Sequence, residues 1–233
     1  MLFRSLCPPD VFDAYLSLDP TIKEHQFKNV FSMPRPIERF NDLPAYKELN
    51  VPVIGTFGFG TLGKGFEDVV AAVNREFDEA IIKLNIPFGT FTHSLDSVKQ
   101  SNGLTTIEQI KLECEKLKKP GIDIRITHDF FNERQLVEWC SQNTLNCFFY
   151  SRNMPGLSAA TDQAISSGRP LAVTENPTFR HVLQYITPYP RRILEQSIVV
   201  STKEVMAMRD AWSPENFLNK FEIILKRLNV LTD

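Results

Sequence analysis

At 233 residues the chain has room for one large domain, or for one domain with a small appendage. Its 42% hydrophobic and 23% charged residues are ordinary for a folded soluble protein, and with a formal net charge of −2 nothing suggests the basic surface that nucleic-acid backbone binding requires. No apolar run approaches the ~20 residues that span a bilayer, so no transmembrane segment is expected.

The start, Met1 to Pro9, is too short and too soon broken by proline for a signal peptide, and a cytoplasmic protein is the expectation. The first 50 residues hold six of the 15 prolines (Pro8, Pro9, Pro20, Pro34, Pro36, Pro44) and no long periodic segment. They read as an irregular arm or linker over 1–50, with one short helix around Val11 to Leu18.

From Val51 the chain alternates regularly. Val51-Pro-Val-Ile-Gly-Thr-Phe is a short apolar run ending in glycines, a buried strand. Phe66, Val69, Val70, Val73 and Phe77 then form one apolar stripe at helical spacing. Ala80 to Ile86 is the second strand, and a polar loop runs on to Gly103. Thr105 and Glu108 make a capping-box signature for a helix through Lys118, with Ile107, Ile110, Cys114 and Leu117 inward. Ile122-Asp-Ile-Arg-Ile-Thr alternates as a strand does.

A helix from Asn132 to Ser141 buries Leu136, Val137 and Cys140. Strand Asn146 to Tyr150 follows, then a small-residue helix from Ser158 to Ser167 stopped by Gly168, and strand Pro170 to Thr174. A weaker helix near Phe179 to Tyr185 precedes a strand over Ser197 to Ser201. A last helix is capped by Ser213 with Pro214 in its first turn, and it turns Phe217, Phe221, Ile224 and Leu228 inward. Alternation of this kind predicts an α/β domain over 51–233, a Rossmann-like doubly wound parallel sheet of about six strands with helices on both faces. In such sheets ligands sit outside the carboxyl ends of the strands, at the switch point.

That rule directs attention to Gly55-Thr-Phe-Gly58-Phe-Gly60-Thr-Leu-Gly63-Lys64-Gly65, which joins the first strand to its helix. Glycines let backbone approach a ligand, and free amides at a helix start attract anions. Gly58-x-Gly60-x-x-Gly63 fits a dinucleotide fingerprint, but the second strand ends Lys83-Leu84-Asn85-Ile86 without the carboxylate that a ribose needs. Gly58-x4-Gly63-Lys64 fits a P-loop, but Gly65 stands where Ser or Thr must bind magnesium, and the strand Asn146 to Tyr150 lacks a Walker-B aspartate.

Ile54 to Gly65 also resembles the segment that opens the C-terminal, nucleotide-sugar donor-binding lobe of GT-B type, group 1-like glycosyltransferases. Gly58, Lys64 and Gly65 match that pattern. A second block, Gly156-Leu157-Ser158-Ala159 leading to Gln163-Ala164, Gly168 and Pro170, is similar to the loop, helix and strand entry of the same lobe. The resemblance covers two blocks in the right order within about 180 residues.

It implies a nucleotide diphosphate sugar as substrate and no metal or other cofactor. The family contacts the diphosphate through a basic residue after the glycine and through the later lysine. Here Phe59 occupies the first position, so Lys64 alone carries over. The Glu-x7-Glu motif is degenerate: Gln163 replaces the ribose-binding glutamate and Pro155 the sugar-contacting one. Gln163 keeps hydrogen-bonding capacity for a ribose.

Residue chemistry agrees with this. Amides of Leu157, Ser158 and Ala159, with the Ser158 hydroxyl, are placed to receive a diphosphate at a helix start. Ser158 is equally suited to be a plain N-cap, and Lys64 to be an exposed lysine in a first helical turn. Arg180 is expected to supply the charge missing at Phe59, and Phe130 or Phe131 to stack the base. The candidate site is therefore Gly58, Phe59, Gly60, Lys64, Phe130, Gly156, Leu157, Ser158, Ala159, Gln163 and Arg180. No role is assigned to His25, His93 or His128, and buried reduced thiols are expected at Cys114 and Cys140.

The leading expectation is a metal-independent glycosyltransferase donor-binding domain. The acceptor site and the usual catalytic base of that family lie in an N-terminal lobe, so either the chain is a fragment or an acceptor-lobe partner chain or a homodimer is expected. The alternative is a non-catalytic nucleotide-binding or interaction module, and a nicotinamide oxidoreductase is the third choice.

Overall fold

The computed structural model of the chain describes residues 11–23, 28–88 and 99–231. The features read at Met1 to Pro9, and at Cys7, His25 and His93, lie outside the described residues. By contacts the chain falls into two compact units, Met1–Glu38 with Asp210–Asp233, and Arg39–Arg209.

In the first unit, strands β1 (Tyr15–Ser17) and β2 (Val30–Ser32) pair in parallel, with Tyr15 opposite Val30 and Ser17 opposite Ser32. The helix expected around Val11 to Leu18 is therefore a strand at its centre. So short a helix is marginal by itself. Here the backbone finds partners across the pair instead: Tyr15 N donates to Asn29 O (2.8 Å) and Met33 N to Ser17 O (2.9 Å).

The second unit begins its sheet with β3 (Val53–Phe57), followed by α1 (Phe66–Glu76), β4 (Ala80–Asn85), α2 (Thr106–Leu117) and β5 (Ile122–Thr127). Next come α3 (Glu133–Ser141), β6 (Leu145–Phe148), α4 (Ala159–Ser166) and β7 (Leu171–Val173). Two 3-10 turns, Pro177–Phe179 and Val182–Gln184, stand where the sequence predicts a weak helix. Then α5 (Leu194–Ala211) runs to the boundary of the unit.

The five strands are parallel in the order β5-β4-β3-β6-β7. The chain builds outward from β3 to β5 and then returns to place β6 on the other side of β3. Loops leaving β3 and β6 consequently diverge, and a crevice opens between them at the carboxyl ends. α1 packs with α2 and α3 with α4, the pairing expected when right-handed crossovers place the two pairs on opposite faces. Val69, Val70 and Val73 of α1 join Ile107, Ile110 and Cys114 of α2 against Ile54, Ile82 and Leu84. Thr105 caps α2 in a full capping box with Glu108, as its sequence predicts. Cys114 and Cys140 are buried thiols, and burial pushes the Cys114 thiol up to about 12.

Among the described residues the sheet has five strands, since the strand expected over Ser197 to Ser201 lies inside α5. Its β-branched residues argue for a strand by propensity, but tertiary bonding decides otherwise. Ser201 Oγ donates to Ser197 O (2.6 Å) and accepts from Leu171 N of β7 (3.0 Å), which needs both serines on one helical face. Val199, between them, is 80% exposed.

The last helix, α6 (Pro214–Arg227), belongs to the first unit and is capped by Ser213, whose hydroxyl accepts from Asn216 N at 3.2 Å. Ile224 is buried with Phe31 and Met33, and Phe217 and Leu228 pack against them. Phe221, expected inward, is exposed: its ring stacks on Phe217 at the rim of this small cluster. Among the described residues no helix is long and apolar enough to cross a membrane.

Candidate functional site

A cavity of about 480 Å³ opens at the carboxyl end of the sheet, within the second unit. Gly58, Phe59 and Lys64 enter it from the loop after β3, and Phe130 from the loop after β5. Gly156, Leu157, Ser158, Ala159 and Gln163 enter from the loop after β6 and from α4. Two glycine-bearing turns far apart in sequence thus meet in one crevice.

Gly60 and Arg180 do not line it. A Cβ on Gly60 would meet Ile107 Cγ1 at 2.4 Å, so this glycine allows the loop to pack on α2 rather than approach a ligand. Arg180 commits its guanidinium to the backbone, donating to Pro177 O (2.9 Å) and Pro155 O (3.2 Å). The guanidinium expected to supply charge is thus spent on backbone carbonyls, and Arg180 is not among the residues that line the cavity.

The loop after β3 is held by Gly65, the N-cap residue of α1. Its φ is +71°, and a Cβ there would lie 1.9 Å from Phe149 O. Left-handed backbone and this close approach leave room for glycine alone. They deliver the preceding Lys64 into the crevice, where Nζ donates to the Tyr150 hydroxyl at 2.8 Å and lies 4.1 Å from the centroid of that ring. Burial first, and the Arg152 charge second, push the Lys64 ammonium down to about 8. Among the described residues neither Lys64 nor Arg152 forms an ion pair with a carboxylate.

Tyr150 links the two turns. Burial raises its hydroxyl above the usual phenol range, while a hydrogen bond with the Ser158 side chain and the Arg152 charge oppose that rise. Ser158 sits at the N-cap position of α4, yet its side chain does not cap the helix. Its amide, expected to receive an anion, donates to Thr178 O at 3.1 Å, which leaves the amides of Leu157 and Ala159 from the expected three. Asn176 fixes the loop from behind, donating to Tyr150 O and Arg152 O at 3.0 Å each.

At the β5 end, Asn85 replaces the acidic residue of a dinucleotide site and serves as a loop anchor. Its Oδ1 accepts from Thr127 Oγ1 (2.9 Å) and Asp129 N (3.0 Å), and its Nδ2 donates to Asp129 O (3.1 Å). This presents Phe130, 70% exposed, with Phe131 beside it at the cavity wall. Among the described lining residues Asp129 is the only carboxylate, and Pro155 and Gln163 both line the cavity. No group of three or more His, Cys, Asp or Glu among the described residues could hold a metal ion.

Tyr150 and Arg152 are lining residues that motif reading passes over. The signal for them is their place: they follow the fourth strand of the sheet directly, on the far side of the switch point. Arg152 donates from a terminal nitrogen to Thr61 Oγ1 at 3.0 Å, and its Nε is buried without a hydrogen-bond partner.

No protein-family model and no curated protein matches the chain. Solved structures do. A trehalose-6-phosphate synthase, OtsA, superposes with a TM-score of 0.60 at 13% identity, covering 88% of this chain and 52% of its own. A glycosyltransferase from Rickettsia africae ESF-5 gives 0.58 at 11% identity, covering 94% of this chain and 64% of that one. A UDP-forming α,α-trehalose-phosphate synthase from Burkholderia xenovorans gives 0.55 at 12% identity, covering 86% and 53%. The likeness is one of fold: a parallel sheet flanked by helices, as in the Rossmann-like lobes of GT-B glycosyltransferases. The chain spans between 52% and 64% of the length of these structures.

Proposed function

We propose that the second unit, with its ligand-binding part beginning near Val51, holds the pyrophosphate of a nucleotide diphosphate sugar as the donor-binding lobe of a glycosyltransferase. The observation that carries this is the meeting of Lys64 and Ser158 through Tyr150 at the switch point of the sheet. A desolvated ammonium without a carboxylate partner among the described residues is a stand-in for half of an ion pair, and an anionic ligand completes it. The about 480 Å³ cavity lies in the range that holds ligands of this size.

In transfer, the ammonium and the amides of Leu157 and Ala159 stabilise the negative charge that builds on the departing nucleoside diphosphate. Phe130 offers a face for the base and Gln163 a hydrogen-bonding side chain for the ribose. The acceptor site lies outside this unit, in a further lobe of a longer chain, in a partner chain or in a second copy. The Burkholderia xenovorans synthase is UDP-forming, and release of a nucleoside diphosphate there accords with this reading. Buried free thiols at Cys114, Cys140 and Cys147 suit a reducing compartment, and the reading places the protein in the cytoplasm.

One observation favours a second reading. Among the described residues the lining has Asp129 alone as a carboxylate, with Pro155 and Gln163 where the resemblance calls for glutamates. A nucleotide-binding module without transfer activity would need nothing more.

A thermal-shift screen with UDP-, GDP-, ADP- and TDP-sugars tests the site. A ligand at 100 times its Kd stabilises the fold by about 2.7 kcal/mol, a shift of several degrees. At least one of the four is expected to give it. Four flat curves at millimolar ligand would remove the donor-binding reading. With a binder in hand, release of nucleoside diphosphate above the level of a Lys64→Ala variant separates the enzyme from the module.

A further inference from the structure

We infer that Arg152 is the second cation of the diphosphate grip, brought from the loop opposite Lys64 to replace the charge that Phe59 lacks; the inference rests on the donor-binding reading above.

Three observations converge on this residue. Arg152 lines the same cavity as Lys64, but follows β6 rather than β3, so the two cations approach from the two sides of the switch point. Its guanidinium stands over the Tyr150 ring that also holds Lys64, 5.9 Å from the centroid. Its hydrogen bonding is incomplete: a terminal nitrogen is used on Thr61 Oγ1, while the buried Nε has no partner and no carboxylate pairs with the side chain among the described residues.

A guanidinium charge at the cavity with no carboxylate beside it is half of an ion pair, and an anionic ligand answers it. Two neighbouring cations also repel, and that repulsion contributes to the lowered basicity of Lys64. A diphosphate relieves the repulsion and pairs both charges, because its own charge lies between the cations and its oxygens suit the terminal nitrogens of arginine. A monophosphate satisfies fewer of these donors.

The Thr61 bond offers a competing role, a brace that ties the two loops, and the experiment separates the roles. Nucleoside diphosphates and monophosphates of the four bases are titrated by calorimetry into the parent chain and into Arg152→Ala, Arg152→Gln, Thr61→Val, Lys64→Ala and Arg180→Ala. Arg152→Gln keeps a donor for Thr61 without the charge, and thermal melts identify the variants that fold. The expected result is a loss of about tenfold or more in diphosphate affinity for both Arg152 variants and for Lys64→Ala. Monophosphate affinity then moves much less, and Arg180→Ala binds like the parent.

If Arg152→Gln binds diphosphate as the parent does while Lys64→Ala does not, Arg152 is no phosphate ligand and the donor-binding reading stands. If Thr61→Val loses as much as Arg152→Gln, the arginine is a brace and the inference is overturned. A parent that binds none of these nucleotides removes both the inference and the reading beneath it.

Discussion

Lys64 and Tyr150 make one contact with two components: the ammonium donates to the phenol oxygen at 2.8 Å and lies 4.1 Å from the centre of the same ring. A phenol fixes a cation in place without neutralising it. An aspartate in that position would have discharged the site. The hydroxyl also has a hydrogen bond with the Ser158 side chain, so one residue touches both cavity-lining turns. The charge is held where the sheet opens, and it stays available to a ligand.

Lysine chemistry supplies a pH dependence. The folded-state value of about 8 lies below the ordinary 10.5, so between them the unfolded chain binds more protons than the folded one. Stability from this group therefore rises over that interval, and its penalty is fully present below pH 8. Replacing Lys64 by Met is expected to stabilise the protein at pH 7 by about 0.5–2 kcal/mol. That gain should shrink as pH rises toward 10.5, in urea melts at several pH values. A bound diphosphate raises the lysine pKa, so its affinity for the parent falls as pH climbs through 8 and stays flatter in the Met variant.

Tyr150→Phe keeps the ring and removes the hydroxyl. Lys64 loses its hydrogen-bond acceptor and Ser158 its link to the other turn. The expected cost is about 1.5 kcal/mol of ligand affinity, roughly tenfold, read by calorimetry, with the melting temperature checked alongside.

Two glycines in the loops at the cavity should respond unequally to alanine. At Gly65 a Cβ collides with Phe149 O at 1.9 Å on left-handed backbone (φ +71°), and a loss above about 2 kcal/mol is expected. At Gly156 a Cβ meets nothing within 4 Å, and stability should stay within about 0.5 kcal/mol. Denaturant midpoints of the two variants decide it.

Ser201 tests the correction to the sheet. Its hydroxyl accepts from Leu171 N, so Ser201→Ala strands a buried amide of β7. A loss of about 1–3 kcal/mol follows if the segment is helical as described. Val199→Lys, on the exposed side, should be neutral within about 0.5 kcal/mol. On a strand, Val199 would share the face of Ser201, and the two variants would suffer alike.

Where local pattern and tertiary need agree, the chain is legible. Ile122, Ile124 and Ile126 alternate with Asp123 and Arg125 in β5, and Val69, Val70 and Val73 mark the inner face of α1. Ser197 to Ser201 misleads because β-branched content there records exposure on a helix, while the informative residues are two serines four apart.

The site shows the same limit. Gly58 and Gly60 look alike in a motif, but only contact with Ile107 and Ile86 shows that the second serves packing. Arg152 and Arg180 both follow strands. The 3-10 turn at Pro177–Phe179 bends Arg180 onto backbone carbonyls, and no periodicity carries that information. The Ser158 amide is lost to Thr178 O for the same reason, a partner supplied by a distant loop.

A crystal structure of the chain soaked with a nucleoside diphosphate at saturating concentration asks the central question most directly. The expected density sets the two phosphates between the Lys64 ammonium and the turn from Gly156 to Ala159, with the base toward Phe130. A nucleotide bound elsewhere on the molecule, or a crevice left empty beside an intact Lys64–Tyr150 contact, contradicts the account.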